Sequence, residues 1–126
     1  MRQPVVTIIV LNWNGKDLIL ECLKSLDEIY FKAHILVVDN GSTDGSITAI
    51  KSRFPQVEIL KLENNLGYAG GNNAGFRHII KQAKSEFIIF LNNDTTVDPD
   101  FVRPLIEQFS DPQVGQTVPK IFYMDD

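Results

Sequence analysis

Asp94 is the side chain whose setting most plainly suggests chemistry. It follows Phe87-Ile88-Ile89-Phe90-Leu91, five consecutive large apolar residues, and the dipeptide Asn92-Asn93. A carboxylate held at the end of a rigid element is a natural ligand for a hard cation such as Mg²⁺ or Mn²⁺. The competing reading makes Asp94 a cap of a loop or helix start, a common duty of Asp in turns. Two more polar clusters follow apolar runs: Asn12-Trp13-Asn14 after Val5–Leu11, and Asp39-Asn40 after Ile35–Val38. A fourth stretch carries Gly67, Gly70, Gly71 and Gly75 within a helical pattern, where idle glycine is costly.

These residues need elements to hold them. Phe87 to Leu91 has no polar residue inside it and reads as a strand buried on both faces, the habit of parallel sheets. Val5 to Leu11 is β-branched and apolar, a central strand. Ile35 to Val38 is a second buried strand, and the more polar Val57 to Leu62 lies nearer an edge. Between them, Leu18, Ile19, Cys22, Leu23, Leu26 and Ile29 recur at helical spacing over about Lys16 to Glu28. Cys22 on that face is a small core hydrophobe. The turn-rich stretch Asp39 to Ser46 leads into a helix carrying Ile47, Ile50 and Phe54 inward, stopped by Pro55. Tyr68 to Ala83 is a third helix with Phe76, Ile79, Ile80 and Ala83 on its buried side. Asp98-Pro99 opens a fourth, with Phe101, Val102, Leu105, Ile106 and Phe109 inward. Asp111-Pro112 ends it, and Val114 to Tyr123 adds a short strand. Alternating strands and helices imply right-handed crossovers and a parallel sheet. Ligands of such sheets bind beyond the carboxyl ends of the strands, where three of the polar clusters and the glycine-rich loop converge.

Composition narrows the class. The 126 residues suit one domain, and the 44% hydrophobic and 22% charged fractions are those of a globular protein. A net charge of −4, with no basic cluster longer than two residues, argues against a nucleic-acid or anionic-membrane surface. With Cys22 alone, no intrachain disulfide can form. Val5 to Leu11 is too short to span a bilayer, and no signal peptide is read at the amino terminus. Neither the dehydrogenase fingerprint nor the P-loop pattern occurs. A nucleotidyltransferase would show a loop rich in glycine and arginine ending in lysine, and Asn12-Trp13-Asn14-Gly15 is not that.

Four blocks in order, from Val5 to about Lys120, resemble the nucleotide-diphospho-sugar-binding half of the family 2 glycosyltransferases. Thr7 to Asn14 is similar to the family's first-strand block. Val37-Val38-Asp39-Asn40-Gly41-Ser42-Thr43-Asp44 resembles Val-Asp-Asp-Gly-Ser-x-Asp. Asn65-Leu66-Gly67 through Asn73-Ala74-Gly75 resembles Asn-x-Gly…Ala-Arg-Asn-x-Gly, and Leu91-Asn92-Asn93-Asp94 takes the place of Asp-x-Asp. The resemblance implies a GT-A, Rossmann-like, three-layer α/β/α fold with a mainly parallel sheet in the order 3-2-1-4. It implies inverting transfer from a UDP- or dTDP-sugar to a glycan or lipid-linked acceptor, in polysaccharide or cell-wall synthesis, with a divalent cation, Mn²⁺ or Mg²⁺. Asp39 would accept a bond from a pyrimidine N–H; the local alternative is an Asx-turn to the Ser42 or Thr43 amides. Backbone at Leu11 and Asn12 would flank the base, and Trp13 would pack beside base or acceptor, or serve simply as core. Gly70, Gly71 and Asn72 would let backbone approach the ribose or diphosphate, with tight helix–sheet packing as the alternative. Asp94 would ligate the cation, Asn92 would position ribose or a metal-bound water, and Asn93 would face the sugar.

The departures carry information too. Asn92 stands where the family has its first carboxylate, and Asn72 where it often has Arg. The Leu-Asn-Asn-Asp and Gly-Gly-Asn-Asn forms resemble the rhamnosyltransferase-like branch, which implies dTDP-rhamnose as donor. An inverting transfer also needs a base for the acceptor hydroxyl. Asp98, Asp100, Glu107, Asp111, Asp125 and Asp126 follow Asp94, but none matches the family's base motif, and Gln-x-x-Arg-Trp is absent. Residues 1–126 are therefore read as the donor-binding half of a longer domain, with the catalytic base beyond Asp126. Its expected location is cytoplasmic, peripheral at the inner membrane in the full-length protein. The alternative is a non-catalytic GT-A-like nucleotide-binding module.

Overall fold

The computed structural model describes residues 2–123. Strands and helices alternate in the order β1 (Val6–Asn12), α1 (Lys16–Asp27), β2 (His34–Asp39), α2 (Ser46–Arg53), β3 (Glu58–Lys61), α3 (Gly67–Gln82), β4 (Phe87–Asn92) and α4 (Val102–Glu107). A 3₁₀ turn, Gln108–Ser110, extends the last helix. The four strands form one parallel sheet ordered β3-β2-β1-β4. Leu11 pairs with Val38 on one side and Asn92 on the other, and Asn12 pairs with Asp39. The polar ends of three strands therefore arrive at one edge within a residue of each other.

Two cores flank the sheet because side chains alternate along each strand. On one face Val6, Ile8, Val10 and Val37 pack with Ile19, Cys22, Leu23 and Leu26 of α1, Ile50 of α2 and Val102 of α4. On the other, Ile9, Leu36 and Val38 pack with Ile79 of α3. Helix α3 lies close to the sheet because glycine permits it. A Cβ at Gly75 would sit 2.6 Å from Val38 Cγ2, and one at Gly71 would sit 2.4 Å from Leu11 Cδ1. Ile8, Ile9 and Val10 are fully buried, each contributing about 1.5–3 kcal/mol. This makes β1 the fixed reference for the edge.

Several expectations need correction. β4 is not buried on both faces: it pairs only with β1, its residues are half-buried or exposed, and Phe90 is 48% exposed. Phe87, Ile89 and Leu91 still pack against one core and Ile88 against the other, but no described strand pairs with its outer edge. Leu18, Phe76 and Ile80 are exposed rather than inward, since each lies at the margin of its helix's apolar arc. Phe76 instead packs near Phe90, with ring centroids 6.4 Å apart. The fourth helix begins at Val102, not at Asp98-Pro99. Asp98 instead closes a turn, its carboxylate accepting from the Asp100 amide and its carbonyl from Phe101. The strand expected over Val114 to Tyr123 does not form. β3 is an edge strand, as its polar composition predicted.

Candidate functional site

The carboxyl-terminal edge is tied together by one buried polar chain. Asn12, wholly inaccessible at the end of β1, donates through Nδ2 to Asp39 Oδ1 at 3.2 Å. Its Oδ1 accepts from Asn93 Nδ2 at 3.1 Å. Asp39, also wholly inaccessible, accepts at Oδ2 from the Ser42 amide at 2.8 Å. Asn12 faces this way because it follows Val6, Ile8 and Val10 in the alternation of β1. The side chain of a central strand's last residue thus joins the ends of its two neighbours. Buried polar groups of this kind must be paired, and no buried side-chain nitrogen or oxygen among the described residues lacks a partner.

Around this chain the loops are fastened side chain to backbone. Ser42 Oγ accepts from the Asn14 amide at 2.8 Å, and Asn14 Oδ1 accepts from the Thr43 amide at 2.7 Å. Asp44 accepts from the Lys16 amide at 2.9 Å and from the Ser46 amide at 3.0 Å. It thereby serves the amino-terminal ends of α1 and α2 together. Burial would raise the Asp44 pKa, but the bonds from Ser46 and Lys16 hold it below the usual value. Asn40, 2% exposed, brackets the start of α3. Its Nδ2 donates to the Gly67 carbonyl at 3.1 Å, and its Oδ1 accepts from the Leu66 amide at 2.9 Å.

At the end of β4, Asn92 and Asp94 are exposed and Asn93 is half-buried. The Tyr68 hydroxyl, from the first turn of α3, donates to Asn92 Oδ1 at 3.2 Å. Cys22 lies beneath, its thiol 3.9 Å from the Asn92 carbonyl. Burial pushes that thiol up to about 11; a bond to Thr95 opposes the rise and the Asp94 charge adds to it. Cys22 is thus a neutral packing residue, as its place on the apolar face predicted.

The structure brings Asn12, Asp39, Asn92, Asn93 and Asp94 to one edge, with Leu11 beside them and Trp13 55% exposed on the following loop. The remaining two candidates, Gly71 and Asn72, are packed within the fold. Gly71 is filled against Leu11 and Asn40, a packing position. Asn72 is 8% exposed, and its Nδ2 donates to the Tyr68 carbonyl within its own helix. The Asx-turn reading of Asp39 is visible in its Ser42 bond. In the sequence Asn40, Ser42 and Asp44 read only as members of the polar cluster and family block after the second strand, and Tyr68 only as the start of the third helix; none has a role of its own there. The turn-rich stretch Asp39–Ser46 marks the first three as loop residues without saying what they hold; nothing local flags Tyr68. Asp125 and Asp126 lie outside the described residues. Cavities of about 180 Å³, around the amino-terminal ends of β2 and β3, and 650 Å³, between α4 and residues 117–120, include none of the edge residues.

Among the described residues no three His, Cys, Asp or Glu side chains converge to enclose a metal. Asp94 alone fits a different arrangement, in which the protein offers one carboxylate and a bound diphosphate supplies other oxygens, a habit of Mg²⁺ sites.

A four-stranded parallel sheet with helices on both faces and polar side chains gathered at its carboxyl-terminal edge is the open α/β architecture whose ligands bind at that edge. Comparison with known proteins places it further. Residues 7–126 match the family Glycosyl transferase family 2, and the chain belongs to that family. It is 34% identical over 111 residues to the succinoglycan biosynthesis protein ExoO of Rhizobium meliloti (strain 1021), covering 85% of this chain and 30% of that protein. It is 31% identical over 115 residues to the poly-beta-1,6-N-acetyl-D-glucosamine synthase of Staphylococcus aureus (strain MSSA476), covering 87% and 27%. Among solved structures it is similar to the mannosyltransferase PcManGT from Pyrobaculum calidifontis in complex with GDP-Man and Mn²⁺. That likeness has a TM-score of 0.77 and 27% identity, over 90% of this chain and 34% of that one. S. aureus TarS 1-349 in complex with UDP is similar with a TM-score of 0.70 and 25% identity, over 92% and 38%. The chain thus spans about a third of the length of such relatives. No helix among the described residues is long and apolar enough to cross a membrane.

Proposed function

We propose that this chain is the donor-binding half of an inverting glycosyltransferase that uses a UDP- or dTDP-sugar and glycosylates a polysaccharide or glycolipid acceptor. The observation that carries the reading is the Asp39–Asn12–Asn93 chain, which sets a carboxylate and two amides at one edge beside Asp94. Asp39 would select the pyrimidine. Two of its lone-pair positions remain unclaimed, but its complete burial means that the base meets it only when the Asn12 amide or the loop at 40–43 yields. Leu11 and Trp13 would bound the base, and Asn92 and Asn93 the ribose and sugar. Gly71 and Asn72 would contribute by fixing α3 close behind the diphosphate. Asp94 would hold Mn²⁺ or Mg²⁺, which neutralises the diphosphate leaving group when bound. The Leu91–Asp94 and Gly70–Asn73 blocks favour dTDP-rhamnose among the donors.

The catalytic base, the acceptor site and any attachment to the cytoplasmic face of a membrane are assigned to sequence outside residues 1–126. A non-catalytic nucleotide-binding module is the second reading. It is favoured by Asp94 being the one carboxylate between Leu91 and Thr95.

Calorimetric titration of UDP, dTDP and GDP, with and without Mn²⁺, tests both. Pyrimidine diphosphates binding more tightly than GDP, and more tightly with metal, support the donor site. Binding indifferent to base and metal refutes it. Sugar transfer by this chain alone would refute the assignment of the base elsewhere.

A further inference from the structure

We infer that Tyr68 is a positioning residue of the donor site: its hydroxyl holds the side-chain oxygen of Asn92 and leaves the Asn92 amide nitrogen to donate to oxygens of the nucleotide. The inference rests on the donor-site reading above.

Tyr68 bridges two elements that have no other side-chain bond at this edge among the described residues. It leaves the first turn of α3 and reaches Asn92 at the end of β4, at 3.2 Å. Tyr68 as a residue is 64% exposed, so burial does not account for its placement. The backbone beneath it is held from two directions. Asn72 Nδ2 donates to the Tyr68 carbonyl at 3.1 Å. Asn40, next to Asp39, holds Gly67 and Leu66 immediately before it. A continuous set of bonds therefore runs from the loop after β2, through the start of α3, to the end of β4.

The chemistry follows from the amide. A carboxylate at position 92 could only accept hydrogen bonds; an amide can donate two from its nitrogen. Tyr68 occupies the oxygen, and trigonal geometry at Cγ points the nitrogen away from that hydroxyl. Ribose and phosphate oxygens are acceptors, and Asp39 and Asp94 already make this edge acidic. A neutral donor at position 92 therefore favours a diphosphate where a second carboxylate would repel it in the absence of metal.

Side-chain amide ¹⁵N spectra and UDP and dTDP titrations on wild type, Tyr68→Phe, Asn92→Ala and the double variant test this. Tyr68→Phe keeps the ring, so the melting temperature should hold. It should shift the Asn92 side-chain amide resonance without ligand. It should also weaken nucleotide binding roughly three- to tenfold, the range for one neutral hydrogen bond. In the Asn92→Ala background it should cost nothing further. An unmoved Asn92 resonance overturns the positioning role even if nucleotide binds normally, and then the donor-site reading stands. A Tyr68→Phe penalty that persists undiminished without Asn92 overturns it too. If the resonance moves but wild type binds neither UDP nor dTDP, the donor-site reading fails, and the role assigned to the Asn92 nitrogen fails with it.

Discussion

Replacing Asn12 by Ala tests whether one amide holds the three strand ends together. The substitution removes the 3.2 Å bond to the Asp39 carboxylate and the 3.1 Å bond from Asn93. The two losses are unequal. Asn93 is half-buried and can turn to water. Asp39 is wholly buried and is left with one carboxylate oxygen unpaired. The contact from Asn12 to Ser42 Oγ, at 3.4 Å, is long and adds little. Losing a buried bond to a charged group costs about 1.5–3 kcal/mol, and the small cavity left brings the total to about 2–4 kcal/mol. For a domain of this size, at roughly 4 °C per kcal/mol, the melting temperature should fall by about 8–16 °C. Asn14→Gly, which removes one exposed side-chain bond to the Thr43 amide and still suits the positive φ at that position, is the control and should lower it far less. Thermal unfolding followed by circular dichroism reads both. A drop below about 2 °C for Asn12→Ala would refute the claim that this amide carries the edge.

The remaining predictions concern charge. Asp94→Asn should abolish the gain in nucleotide affinity from Mn²⁺ or Mg²⁺ while leaving melting unchanged, since the carboxylate is exposed; a persisting metal effect in calorimetry would remove Asp94 from the site. Asn92→Asp should strengthen metal-dependent binding and weaken metal-free binding, and the same titrations show which sign holds. Glu58 lies between His78 and His34, each imidazole 2.5 Å from one of its oxygens. Partial burial would raise its pKa, yet the bonds from His78 and His34 hold it below 4.5. A depressed carboxylate contributes stability above its unfolded pKa and loses it as pH falls through the folded one. The stability difference between wild type and Glu58→Gln should therefore shrink below about pH 4.5, and denaturant titrations across that range showing a constant gap would contradict the pairing. Native Cys22 should resist iodoacetamide at pH 8, being buried and un-ionised; labelling at the rate of a free thiol, read by mass spectrometry, would place it at the surface.

Much of the architecture was legible in the chain itself. Continuous apolar runs and a spacing of 3.6, punctuated by glycine and proline, marked all four strands and all four helices. The crossover rule then made the sheet parallel. Asn12, Asp39 and Asn92 were legible as edge residues because each directly follows an apolar run, and Asn93 comes next. Local pattern could not reveal which strands have neighbours on both sides. Phe87–Leu91 is a longer apolar run than Ile35–Val38, yet β2 is central and β4 lies at the edge of the described sheet. Hydrophobicity records what a strand can bury; pairing decides what it does bury.

The helix margins show the same limit. Leu18 and Ile80 fit the apolar spacing of α1 and α3 but face water, since arc width depends on the surface opposite. The sequence by itself determined the element order, the parallel sheet and the edge where polar residues gather. Those follow from local chemistry and chain handedness. Only the tertiary structure decided that Asn12 links Asp39 to Asn93, that Gly71 is a packing position, and that Tyr68 reaches Asn92. Those contacts join residues up to 81 positions apart, and no local rule encodes which side chains meet once the sheet has assembled.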